Sequence, residues 1–424
     1  MPKPHVATFG KLVRRVARLR GGGSAFPGLV IEKISPTFTQ EVLATLPYGV
    51  VVVSGTNGKT TTTKMVVELL ESQGLRVFTN RTGSNFARGV TAALLGEVDY
   101  KGKLAADIAV LELDEAHAVK FVAMVPPTHC LLLNVMRDQL DRFGEIDTTA
   151  KLLTHIAKAT TKTVVLNRED PRVAAIATTL SSSVAVQYFG LAPALLAQFP
   201  HDDNLRNSAP ATHGDTPALA TLDAFSDTQA TFTLQGTSHT TSLSLKGIYN
   251  TYNAAAALAL VAAICGDSLK VKPLLHALAQ VAPAFGRGET VMINGMPVDL
   301  VLVKNPGGFR LALQSFSPKG VATMIAINDN YADGRDMSWL WDVDFRSLAD
   351  DGVAMVSGMR AYDMALRLGY DNITPTAIEP QLATALTTFL SQYNSQPKRI
   401  YCSYTAMLTL RKSLAQHTNM EDVL

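Results

Sequence analysis

The 424-residue sequence predicts an α/β fold, with a central domain on a mostly parallel sheet and a smaller α/β domain at the C-terminus. Three observations lead there. A glycine-rich loop, GTNGKTTT at residues 55–62, lies between an apolar run and a helical pattern. Short apolar runs then alternate with helical patterns along the chain, which is the rhythm of parallel sheets covered by helices. At this length, with 47% hydrophobic and 17% charged residues, two or three buried cores are expected.

The chain opens on a basic stretch. Lys3, Lys11, Arg14, Arg15, Arg18 and Arg20 fall within residues 3–20 without an acid, interleaved with Leu12, Val13, Val16 and Leu19 at helical spacing. This predicts an amphipathic helix, either solvated or lying against an anionic membrane surface or a phosphate-bearing lipid. A mitochondrial presequence has the same composition, and only the rest of the chain argues against it. Glycines 21–23 and a proline-containing connector complete an N-terminal segment, 1–48.

Residues 49–53 read as a buried strand and 60–70 as the helix after it. The same rhythm recurs at 108–113, 129–133 and 163–166. Between 191 and 245 the composition shifts toward Ala, Ser, Thr and Asp, predicting an insertion with hairpin strands at 231–234 and 241–245. A helical pattern resumes at 250–264 and ends the central domain, 49–283. Residues 283–289 read as a hinge, and runs at 298–303, 320–327, 353–356 and 399–404 supply the strands of a C-terminal domain, 284–424. The longest apolar run, 254–265, is shorter than the ~20 residues of a membrane span, and no secretory signal opens the chain; both point to the cytoplasm. Cys130, Cys265 and Cys402 are far apart in apolar stretches and read as core residues, not as disulfides or metal ligands. A net charge of +2 gives no reason to expect nucleic acid as a partner.

Loops of the GTNGKT type wrap backbone N–H groups around nucleotide phosphates, with Lys59 as counter-charge and Thr60 offering a hydroxyl to Mg²⁺. The longer form of the pattern has a glycine where this chain has Val53. A triphosphate also calls for a carboxylate at a neighbouring strand end, and Glu112 closes the apolar run of LELDEAHA, followed by Asp114, Glu115 and His117. A helix cap explains a carboxylate there equally well. The next run ends at Asn134 and continues VMRDQLDRFGE, with Asp138 and Asp141 at helical spacing.

Together these features resemble the Mur ligase superfamily, whose central ATPase domains share GTNGKTTT, a Glu after a later strand, an N-x-x-x-D-H-x-D segment and a G-x-x-N-x-x-N segment that contacts adenine. Gly247, Asn250 and Asn253 in GIYNTYNAAAA fit the last of these. The resemblance implies an ATP site of Gly55, Thr56, Asn57, Gly58, Lys59, Thr60, Thr61, Asn250, Asn253 and Arg287, with Thr60 and Glu112 on Mg²⁺. Arg287, in FGRGE, corresponds to the family's phosphate-side arginine. Two departures matter. Gln139 stands where many members have a metal-binding His, and the roughly fifty residues before the loop are too few for a UDP-binding domain.

Four further segments, TNRTGSN at 79–85, RDQLDRFGE at 137–145, LVKNPGGF at 302–309 and NDNYADGRDMSWLWDVDF at 328–345, are similar to the MurT-type branch of this family. The last holds Asp329, Asp333, Asp336, Asp342 and Asp344 against one basic residue, Arg335, so the carboxylates must bind a cation, pair with a partner or stay solvated. An EF-hand fails there, because Tyr331 and Leu340 occupy two of its ligand positions. The MurT-type resemblance implies that ATP phosphorylates the α-carboxylate of D-glutamate in lipid II and that ammonia displaces the phosphate, giving D-isoglutamine. The ammonia would come from a separate GatD-type class I glutaminase with a cysteine nucleophile. None of this chain's cysteines sits in a Gly-flanked elbow, so the nucleophile must lie on that partner. One aspartate of the C-terminal domain is expected to serve the glutaminase site, Asp336 or Asp333 ahead of Asp329, unless Asp336 only caps the following turn. Residues 191–245 lack the four-cysteine zinc ribbon of many MurT proteins, and no zinc is expected. A stand-alone Mur-type or folylpolyglutamate-type amino-acid ligase and a nucleotide-sensing scaffold remain the alternatives.

Overall fold

The computed structural model describes residues 4–19, 26–80, 86–137, 146–199, 216–226, 228–245, 247–282 and 287–415. Among them two sheets form. The larger contains β1 (Val50–Ser54), β2 (Val77–Thr79), β3 (Ile108–Glu112), β4 (His129–Leu132), β5 (Thr163–Asn167), β6 (Ala185–Leu191), β7 (Ala220–Phe225), β8 (Gln229–Leu234) and β9 (Thr237–Ser242), in the order β2-β3-β1-β4-β5-β6-β7-β8-β9. Every pairing from β2 to β7 is parallel, and β7, β8 and β9 pair antiparallel. Strand β1 is thus flanked by β3 and β4, with crossovers leaving in both directions. That reversal opens a crevice beyond its carboxyl end, where ligands of open α/β sheets bind.

Both faces of this sheet are covered. On one lie the helices Lys59–Ser72, Ile248–Cys265 and Val271–Gln280. The middle one is apolar all round and buried along almost its whole length; it is long and apolar enough to cross a membrane, yet serves here as a core helix. On the other face Ile31, Phe38, Val42 and Leu43 from the N-terminal segment pack with Phe78, Val90 and Leu94. The N-terminal helices Pro4–Leu19, Phe26–Ile34 and Phe38–Leu43 therefore share the central core, through side chains whose wide spacing along the chain hid them.

In the stretch 191–245 the described strands β7 to β9 continue the central sheet, with one strand displaced from its predicted place. The second hairpin strand is Thr237–Ser242, starting four residues before the predicted 241–245. A two-residue turn sets this register. Gln235 and Gly236 both adopt positive φ, 49° and 80°, the hairpin geometry whose twist matches the flanking strands.

The second sheet contains β10 (Arg287–Ile293), β11 (Met296–Leu302), β12 (Ala322–Ala326), β13 (Met355–Ser357), β14 (Ala377–Glu379) and β15 (Lys398–Cys402), in the order β10-β11-β15-β12-β13-β14. All its pairings are parallel except the β10–β11 hairpin. The sequence reading missed β2, β6, β7, β10 and β14. Two of these have only three residues, too few for a period-2 pattern to register.

Candidate active site

The loop at residues 55–62 leaves β1 and enters the helix Lys59–Ser72. Its glycines are required by geometry. Gly58 has φ +88°, and a Cβ there would lie 2.6 Å from Asn253 Oδ1, so only glycine lets the loop close against the helix Ile248–Cys265. Lys59 is nearly buried; its Nζ donates to the Gly55 carbonyl at 2.5 Å and pairs with Glu115 Oε2 at 3.3 Å. Thr60 Oγ1 donates to Glu112 Oε1 at 2.8 Å. Glu112 is fixed in turn by Asn80, which donates from Nδ2 to its carbonyl at 2.8 Å and accepts from its N–H at 3.0 Å. Asp114, by contrast, caps the helix Glu115–Met124. A hydroxyl and a carboxylate side by side at a helix N-terminus are hard oxygen donors suited to Mg²⁺, whose remaining positions phosphates and water fill. Among the described residues no cluster of three or more His, Cys, Asp or Glu forms an all-protein metal cage.

Several site residues were missed in the sequence. Asn134, at the end of β4, accepts from Asn57 N at 2.8 Å and returns a bond to the Asn57 carbonyl at 3.0 Å. Strand β5 ends in Asn167 and continues into Arg168-Glu169-Asp170. Asn167 Oδ1 accepts from Tyr252 Oη at 2.5 Å, and the Glu169 carboxylate is held by Arg168 at 2.8 Å and by Leu191 N at 3.0 Å. Asp170 accepts from Val135, Arg172 and Val173 N–H groups, while burial pushes its carboxyl up to about 6. Two signals could have found this cluster: its place at a strand end, as for Glu112, and the cap-plus-proline pair Asp170-Pro171.

These groups line a cleft of about 130 Å³. Its lining includes the polar groups of Asn57, Lys59 and Thr61 beside Gly58, and the rings of Phe189, Phe199, Tyr249 and Tyr252, which offer apolar faces for a planar base. Asn253 lies on this lining and Asn250, a turn earlier, is almost fully buried. The side chain of Arg287 lies outside the described residues, as do Asp138, Gln139 and Asp141.

The C-terminal domain closes the cleft with Leu302, Lys304, Gly308 and Leu311. One tie across the junction is a reciprocal amide pair. Asn57 Nδ2 donates to Asn305 Oδ1 at 3.1 Å, and Asn305 Nδ2 to Asn57 Oδ1 at 2.9 Å. Asn305 also caps the helix Pro306–Ser315 through Gly308 N at 2.8 Å. Two residues on, a Cβ at Gly307 would lie 2.9 Å from Met136 Sδ, so any side chain there would have to displace that thioether. Arg137 Nη1 adds an ion pair to Asp342 at 3.0 Å.

Three of the five aspartates of 328–345 are paired with arginines from outside that segment, which answers much of the expected repulsion. Asp329 pairs with Arg360 at 2.6 Å, Asp342 with Arg137, and Asp344 with Arg346, whose hydrogen bond holds the Asp344 carboxyl below the usual carboxylate range. Asp333 is buried and accepts from Thr405 N at 2.7 Å and Thr405 Oγ1 at 2.5 Å. Asp336 accepts from Ser338 N at 2.9 Å and stays partly exposed. Around this loop lies an apolar patch. Tyr362, Leu366 and Tyr370 form an exposed stripe on the helix Ala361–Tyr370, flanked by Met359 and by Trp341, whose ring meets Tyr370 edge-on at 5.0 Å.

None of the thiols is activated. Burial pushes Cys130 up to about 12 and raises Cys402 and the half-buried Cys265 as well.

Comparison with known proteins agrees with this geometry. Residues 53–261 match the Mur ligase middle domain and residues 302–407 the MurT ligase C-terminal domain. Over 93% of its length the chain is 32% identical to the lipid II isoglutaminyl synthase (glutamine-hydrolyzing) subunit MurT of Streptococcus pneumoniae, of which it covers 93%. It is 28% identical to the subunit of the same name from Staphylococcus aureus, over 89% of this chain and 91% of that one. The fold is similar to that of the MurF ligase of Thermotoga maritima in complex with ADP, with a TM-score of 0.66 at 17% identity, covering 90% of this chain and 84% of that one.

Proposed function

The chain belongs to the MurT family of Mur ligases, and from that premise we propose that it amidates the α-carboxylate of D-glutamate in lipid II with ATP and with ammonia from a separate glutaminase. A carboxylate oxygen attacks the γ-phosphorus of ATP, ADP leaves, and an acyl phosphate remains. Ammonia then attacks the carbonyl carbon; the new C–N bond expels phosphate and the extra proton passes to solvent. Activation is needed because a carboxylate is a poor electrophile, and catalysis consists mainly of positioning and charge stabilisation. The loop at residues 55–62 would hold the phosphates, with Thr60 and Glu112 on Mg²⁺ and Lys59 countering charge. The cleft at the domain junction, with Lys59 on one wall and Lys304 on the other, is the observation that carries this reading.

The inert thiols support an external ammonia source. The apolar patch around Tyr362, Leu366 and Tyr370 suits a glutaminase docked beside the 328–345 loop, since exposed apolar patches mark protein contacts. Of the three candidate aspartates, Asp336 is the best placed to reach such a partner: Asp329 is held by Arg360, and Asp333 staples the loop to Thr405. The reaction would run in the cytoplasm, at the membrane face that presents lipid II. Purified chain with ATP, Mg²⁺, ammonium and lipid II is expected to give amidated product and ADP. Addition of an amino acid in place of ammonia would show a stand-alone ligase, and amidation unchanged by Lys59→Ala would remove the ATP site from the chemistry.

A further inference from the structure

The N-terminal helix Pro4–Leu19 is amphipathic in an unexpected way. Of the apolar residues that the sequence groups with its bases, Leu12 and Val16 are exposed and Val13 is half-buried. Val6, Ala7, Gly10 and Ala17 face the protein, and a Cβ on Gly10 would lie 2.4 Å from Leu95 Cδ2. Phe9, Leu12 and Val16, spaced three and four residues apart, instead form a stripe on the outside, with Leu12 59% exposed. Scattered apolar residues on a surface need no explanation, but three aligned on one helix do. Phe26, at the start of the next helix, is also exposed.

Charge identifies what covers the stripe. Lys11 lies over the ring of the exposed Tyr100, and Arg15 points to solvent. No acid precedes Glu32 in the sequence, and Glu32 is paired with Arg88 at 3.0 Å. Three side chains are too few for a standard protein interface, whereas a narrow apolar stripe beside the cations Lys11 and Arg15 matches the headgroup and acyl boundary of an anionic bilayer. We infer that the outer face of Pro4–Leu19 docks on an anionic phospholipid surface, with Phe9, Leu12 and Val16 entering the interface and Lys11 and Arg15 meeting the headgroups.

The test is co-sedimentation of the full chain with vesicles of phosphatidylcholine, with and without phosphatidylglycerol. Binding is expected only with phosphatidylglycerol, weakening as salt is added. The Leu12→Ser/Val16→Ser double variant should bind about tenfold more weakly with an unchanged unfolding midpoint, and Arg15→Gln less severely. The inference is overturned by a wild-type chain that stays in the supernatant at low salt, or by a double variant that sediments like wild type. It is equally overturned if the assembled complex with the glutaminase no longer binds, since the stripe would then be a subunit contact. No step of amidation enters this assay, so its outcome is separate from that of the proposed function.

Discussion

Thr60 and Glu112 touch at 2.8 Å where the P-loop helix begins, and in the proposed chemistry their separate jobs are to ligate and to balance one cation. Glu112→Gln keeps the shape and the Asn80 bonds, both of which run to the Glu112 backbone, while removing the charge. Ammonium-driven amidation should fall on the order of 10²- to 10³-fold, with an unchanged urea midpoint. Asn305 offers a finer test, because one side chain both caps its own helix and meets Asn57. Asn305→Asp retains the capping oxygen but turns a donor into an acceptor facing Asn57 Oδ1. ATP affinity should therefore weaken by about 1–3 kcal/mol with the helix intact, whereas Asn305→Ala loses cap and pair together. Isothermal titration with a non-hydrolysable ATP analogue separates the two.

At the level of elements, much was legible because the apolar runs that make β1, β3, β4, β5 and β12 are continuous and buried on both faces. Glu112 was legible because it stands at a strand end beside a phosphate loop. The Asn57–Asn305 pair was not, since its members are 248 residues apart and only the domain junction brings them together. Nor was the exposure of Leu12, because periodicity shows which residues share a face and not which face is covered. A buried titratable group on β4 gives a further prediction. His129 is almost fully buried, which depresses its imidazole to about 4 from the ordinary 6.5. The unfolded chain therefore takes up a proton between pH 6.5 and 4 that the fold refuses, and stability drains as pH falls through that window, by on the order of 3 kcal/mol. Asp170, raised to about 6, works in the opposite sense: the fold takes up its proton earlier and gains stability as pH falls below 6. His129→Gln should remove the first effect alone. Urea midpoints at pH 7 and pH 4.5 are expected to fall less for that variant than for wild type; equal falls would show that His129 accepts its proton in the fold.

On the scale of the whole molecule, the two sheets place the ATP loop and the 328–345 loop at the carboxyl ends of their own central strands, β1 and β12. The C-terminal domain thereby touches the P-loop through Asn305 while presenting Tyr362, Leu366 and Tyr370 to solvent. In the proposed assembly that surface receives the ammonia donor. Its loss should uncouple the two half-reactions without harming either catalytic centre. Tyr362→Ser/Tyr370→Ser leaves the cleft residues untouched, and both rings are largely exposed, so the fold should tolerate the change. With free ammonium the variant should amidate lipid II at the wild-type rate. With glutamine and added glutaminase the rate should drop about tenfold or more, because truncating aromatic anchors at an interface commonly costs 2 kcal/mol or more. Size-exclusion chromatography of the mixture should show weakened association. If both rates fall together, the aromatic face supports the chain's own site; if neither falls, the glutaminase docks elsewhere and the patch needs another occupant.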